Sequence, residues 1–281
     1  MLKKCLKYDL RANYKKWLIL SLIALSFSVI GSLFFCTSAT AGEESAIIDV
    51  ICSVICALSF LVVAFYPMAV LAITSERCYK SFFTDEGYLT FTLPVSRRTH
   101  LNSKIISTEI FGAATTLVIL VSVAIMIAIE SLFGGGTLVE GIKLLFSNIL
   151  SSFDLDGGFH SVMLVVSALL LLPLISIFCN LLIHFCIIFG SVVAKKHKID
   201  LIVITIHISC MIIAGLIYLY TAAVVAMGCA WMDAVGLSVS QESLVVFLWL
   251  LLLTVAAILV IACALLYRYC LTSLERRLNL A

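Results

Sequence analysis

Six apolar stretches, at 17–35, 47–73, 105–129, 161–190, 201–227 and 244–266, constrain this chain more than any other feature. A helix needs roughly 20 apolar residues, rising about 1.5 Å each, to cross the hydrocarbon core of a bilayer. All six stretches reach about that length, and the longer ones must tilt, kink or protrude. Composition closes the alternatives. Of 281 residues, 63% are apolar and 12% charged, against about 45–50% and about 25% in soluble domains. The expected fold is all-α: one polytopic transmembrane domain of six helices, embedded in lipid.

The net charge of +2 by itself implies no acidic partner, and no nucleic acid is expected. The placement of charge says more. Six spans put both termini on one side. That side carries Lys3, Lys4, Lys7, Arg11, Lys15 and Lys16, then Arg77, Lys80, Arg97, Arg98 and Lys104. It also carries Lys195, Lys196, Lys198, Arg268, Arg276 and Arg277, leaving Lys143 alone on the other. Short basic loops are retained in the cytoplasm, so both termini are expected there.

Residues 1–16 form a basic amphipathic segment suited to the anionic leaflet, with Trp17 at the boundary, or to an elbow helix bracing the bundle. The outer connection 130–160 is bounded by Gly134, Gly135, Gly136 and by Gly157, Gly158. Between them Leu138, Ile142, Leu145, Phe146 and Ile149 recur at helical spacing, which predicts an interfacial amphipathic helix. Pro67 and Pro173 fall inside the second and fourth spans and are expected to kink them. Most of the eleven cysteines lie within spans at no metal-ligand spacing, so they read as small apolar residues.

Little in the sequence points to catalysis, and no enzyme activity is expected. Glu109 and Glu130 flank the third span near its interfaces. Asn180 and His184 are an i, i+4 pair on the fourth span, and His207 lies near the inner end of the fifth. Intramembrane polar groups are functional candidates by default, so these three form a possible polar site; interhelical hydrogen bonding is the plainer role. H-E-x-x-H, G-x-S-x-G and Walker A segments are absent from the sequence. Any ATP-driven work needs an ATPase on another chain.

The inner connection 74–104 mixes Tyr79, Phe82, Phe83, Tyr88, Leu89, Phe91 and Leu93 with charges, and Gly87 and Pro94 punctuate it into two expected short helices. Its core, DEGYLTFTLPVSR at 85–97, followed by Ser103 and Lys104, resembles the inner loop of bacterial ABC-2 type transporter permeases of the clostridial, Gram-positive kind. The tail 267–280, with LERRLNL, is similar to tails of the same group.

The resemblance implies the membrane subunit of an ABC exporter in the bacterial plasma membrane. Such subunits work in pairs, identical or paralogous, with separate ATP-binding subunits that hold the ATP and Mg²⁺; this chain would bind no cofactor itself. The loop would carry a coupling helix, with docking residues between Glu76 and Arg98. Phe82, Phe83 and Tyr88 would be apolar anchors, and Asp85, Glu86, Arg97 and Arg98 polar contacts. A membrane sensor or scaffold using the same loop for another partner is the alternative. An ion-coupled transporter would need internal repeats, midplane charges and broken helices, which the sequence lacks. Peptide, drug and lipid substrates stay unranked.

Overall fold

The computed structural model describes residues 1–40, 46–133, 140, 143, 159–193, 202 and 241–276. Every element among them is helical: α1 (Leu2–Thr40), α2 (Ala46–Phe83), α3 (Asp85–Thr92), α4 (Arg97–Phe133), α5 (Phe159–Val193) and α6 (Gln241–Arg276). Five of these, all but α3, are long and apolar enough to cross a membrane. The fifth apolar stretch of the sequence, His207 with it, and the interfacial helix expected over 138–149 lie outside the described residues.

The five long helices run 35 to 39 residues, about 52–58 Å each, against a hydrocarbon core of about 30 Å. Helix therefore continues well past the apolar stretches. Residues 1–16 do not form a separate segment; they are the first four turns of α1. Likewise α2 runs through Pro67 and on to Phe83. Much of the connection expected at 74–104 is thus an extension of α2 and α4, leaving α3 and two short links. Thr84 accepts the Gly87 N–H at 2.7 Å as α3 begins. Ser96 caps α4, its Oγ accepting from the Thr99 N–H at 3.3 Å, the role such residues play at helix starts.

The chain forms two compact units, one of residues 1–82 with 89–152 and one of 83–88 with 153–281. In the first, α1 and α4 pack in parallel: Asp9 meets Ser103 and Lys104, and the Trp17 indole N–H donates to Thr115 Oγ1 at 3.3 Å. Small polar residues are buried along both helices, Ser21, Ser28 and Ser32 on α1 and Thr108, Thr115 and Ser122 at seven-residue intervals on α4. Their hydroxyls mostly bond back to their own helix, as Thr108, Thr115 and Ser122 do to Lys104, Phe111 and Val118. Small residues let backbones approach where lipid competes with every apolar contact. Ala24, Tyr66, Val70 and Phe111 form the apolar core here, and Ser21 Oγ and Tyr66 Oη bond at 2.7 Å.

In the second unit α5 packs on α6. Leu181, Ile187, Ile188, Cys270 and Leu274 are buried, and Tyr269 meets Phe185 edge-on at 4.9 Å between centroids.

α1 and α2 approach closely at Gly31. A methyl group added at Gly31 would come within 2.7 Å of Ser59 Cβ, whereas one at Gly112 meets nothing within 4 Å. Gly31→Leu is expected to lose about 1–3 kcal/mol by overpacking, read as a lowered thermal midpoint in detergent, while Gly112→Leu keeps the wild-type midpoint. Equal midpoints for the two variants would remove the α1–α2 contact from the account.

Candidate functional site

The chemistry of the first unit gathers where α1, α2 and α4 extend beyond their apolar stretches. Asp9, on the inward side of α1, is 5% exposed, and Lys104 on α4 is 6% exposed. Lys104 Nζ donates to Asp9 Oδ1 and Ser103 Oγ to Asp9 Oδ2, so both carboxylate oxygens are engaged. The buried Cys78 thiol of α2 lies within electrostatic reach of both charges. His100 stands one helical turn before Lys104. It too is buried, and its Nε2 has no hydrogen-bond partner among the described residues.

An aromatic stack sits on this polar core. Phe91 of α3 lies 5.7 Å from Phe82 at the end of α2, nearly parallel, and 6.2 Å from His100, edge-on. The Arg97 guanidinium covers the Phe91 ring at 5.6 Å, a cation–π contact that fixes α3 against the start of α4. Phe82, expected as a docking anchor, is instead wholly buried in this stack. Its sequence environment could not separate an inward aromatic from an outward one. Among the described side chains here, Leu89, 67% exposed, and Leu93, 53% exposed, face out, with Pro94 and Arg98 also exposed.

The remaining expected docking residues are dispersed. Glu86 is exposed, Phe83 half-buried and Gly87 buried; Asp85 and Tyr88 belong to α3. Glu76 is exposed and bridges Lys80, one turn on, and Lys16 of α1 at 3.8 Å. Such exposed pairs contribute little to stability. Trp17, read as a boundary anchor, is bonded to Thr115 and packs 6.0 Å from Phe111 inside the bundle.

Of the second expected site, Asn180 and His184 lie within the described residues. Asn180 and His184 are both buried on α5, and His184 Nδ1 bonds the Asn180 backbone carbonyl at 2.8 Å. A carbonyl only accepts, so Nδ1 carries the proton and the ring is tied to its own helix. No three His, Cys, Asp or Glu side chains among the described residues are placed to hold a metal ion.

Neither Asp9 nor His100 was singled out from the sequence. The available signal was the lone acid at position 9 amid six cations, on the face of α1 opposite Lys7 and Arg11.

Removing one member of a buried ion pair strands the other. Asp9→Leu or Lys104→Met alone should therefore cost about 3–5 kcal/mol, whereas the double variant, with an apolar pair of similar volume, should return close to wild type. Thermal unfolding of all three in detergent checks this.

No family model, curated protein or solved structure matches the chain.

Proposed function

We propose that this chain is the membrane-spanning permease subunit of an ATP-binding cassette exporter in a bacterial plasma membrane, with both termini cytoplasmic. In this reading a separate ATPase docks on the α3 region, and a second membrane subunit, identical or paralogous, completes the translocation path. The observation that carries it is the short helix α3. It lies within the segment that resembles the coupling loop of ABC-2 permeases, and Leu89 on it and Leu93 just past its end are exposed although Phe82 and Phe91 stack on each other. Exposed apolar groups ringed by charge are what a partner surface covers.

The mechanism is a population shift. ATP closing two ATPase subunits draws the docked α3 segments with them. A ligand shifts an equilibrium by its differential affinity for the two states and by nothing else. ATP-bound closure therefore has to favour one arrangement of the membrane helices, and hydrolysis resets it. Phe91 and Arg97 hand the displacement to α4 through the stack on His100.

Purification of the tagged chain from its native cells in mild detergent tests the reading. A stoichiometric P-loop ATPase should co-elute, and Leu89→Asp with Leu93→Asp should lower its retention at least about tenfold, with the elution profile of the membrane protein unchanged. Phe82→Ala acts differently, lowering stability by about 3–5 kcal/mol. A clean preparation without any nucleotide-binding protein moves the assignment to a membrane sensor or scaffold.

Sidedness needs an exposed reporter, since Cys78 is buried. Glu86→Cys, at an exposed position, should react with a membrane-impermeant thiol reagent after permeabilisation and not in intact cells. Labelling in intact cells would reverse the topology.

A further inference from the structure

His100 lies in the first turn of α4, outside the apolar stretch that begins at 105, yet it is buried. Phe91 of α3 meets its ring edge-on at 6.2 Å. Asp9 of α1 and Lys104 of α4 itself lie within electrostatic reach of the ring. The buried Cys78 of α2 responds to the same two charges.

With the ring neutral, this cluster carries no net charge. Asp9 and Lys104 cancel, and burial keeps the Cys78 thiol protonated. A proton on His100 would add a second cation beside one carboxylate. Both oxygens of that carboxylate are already taken, by Lys104 and by Ser103. The other acids with described side chains on these helices give no help. Glu76 and Glu86 are exposed, and Glu109 stands about 13 Å farther along α4. The remaining cations at this end, Arg77 and Arg97 half-buried and Arg98 exposed, could only repel the new charge. A charged imidazole also has a donor on each nitrogen, and Nε2 finds no acceptor among the described residues. Burial therefore favours the neutral ring, Lys104 adds to this, and Asp9 offsets part of it. Water is close, because Thr92, Leu93, Pro94 and Ser96, which join α3 to the His100 turn, are exposed.

We propose that His100 is a proton-operated latch on α3: its neutral ring holds Phe91 against the start of α4, and protonation drives the ring out to water, opening the stack of Phe82, Phe91 and His100. All the residues of the latch lie in the first unit, and it does not rest on the permease reading. Joined to that reading, it makes the coupling of α3 to the membrane helices weaken in acid. The direction follows from linkage. A histidine released to water titrates near about 6.5. Above that value the closed and open forms bind the proton equally little, and the latch stays shut. Below it the open form takes up the proton first, so each pH unit favours opening by up to about tenfold.

The test follows Cys78, buried one turn before Phe82 on α2. The full chain in mild detergent is treated at about pH 7.5 and about pH 5.5, on either side of the histidine range, with an aromatic disulfide that still reacts with thiols in acid. Peptide mass spectrometry reads modification of Cys78 as a rate relative to a free thiol at the same pH. In the wild type the relative rate should rise about tenfold in acid and fall again when the pH is restored before labelling. In His100→Phe, which keeps a ring for Phe91 and binds no proton, the rate should not change with pH. His100→Gln makes the same comparison with a smaller side chain. A pH-independent wild-type rate overturns the latch, as does a rise that is not reversible. An acid-dependent rise that survives in a monodisperse His100 variant also overturns it and assigns the opening to protonation of Asp9.

Discussion

The buried pair of Asp9 and Lys104 sets the geometry of the first unit. Two charges withdrawn from water cost several kcal/mol each, and their attraction offsets this when the geometry is good and the remaining lone pairs are used. Here both carboxylate oxygens are engaged, one by the ammonium and one by Ser103. The pair also does what apolar contacts between membrane helices cannot. Lipid tails are as apolar as leucine, so a slide of α1 along α4 by one turn exchanges one set of apolar contacts for another at small cost. The same slide separates Asp9 from Lys104 and Trp17 from Thr115. Register along this seam is therefore set by polar groups, with the small residues between them allowing close approach.

That dependence explains which parts of the structure could be read in advance. Hydropathy located the apolar stretches because the lipid requirement is a property of about twenty consecutive residues. It could not show where helices end. The apolar run of α2 stops at Ile73, yet the helix continues through Glu76, Arg77 and Lys80 to Phe83. There Cys78 and Phe82 are buried, Phe82 stacks on Phe91 of α3 and Glu76 pairs with Lys16 of α1. For the same reason residues 1–16 read as a leaflet segment: their cations are visible in sequence, while the inward Asp9 gains its meaning from a lysine 95 positions away.

The candidate docking segment was legible in place and not in orientation. Of the two expected punctuation points only Pro94 falls outside a helix: Gly87 lies within α3, which runs unbroken from Asp85 to Thr92, so one short helix stands where two were expected. Which aromatic faces in could not follow from an eight-residue helix carrying apolar residues at 88, 89, 91 and, just past its end, 93. The stack of Phe82, Phe91 and His100 resolves this by withdrawing Phe82 and leaving Leu89 and Leu93 outside. Nothing in the local pattern encodes that choice. It depends on where α2 ends relative to where α4 starts.

Within the proposed transport cycle these contacts form a short mechanical path. His100, which meets Phe91, and Lys104, which meets Asp9, lie one turn apart on α4. A displacement of α3 therefore reaches α4 and α1 within about 6 Å of helix, without crossing a flexible link. An exposed ion pair would break under such a load, because water and salt compete for its members. A buried one does not exchange partners cheaply, since separating its charges leaves each unpaired in a poorly solvated site. The energetic argument for a buried pair at this position is thus not added stability, which apolar residues could supply as well. It is that α1 and α4 respond to α3 as one body.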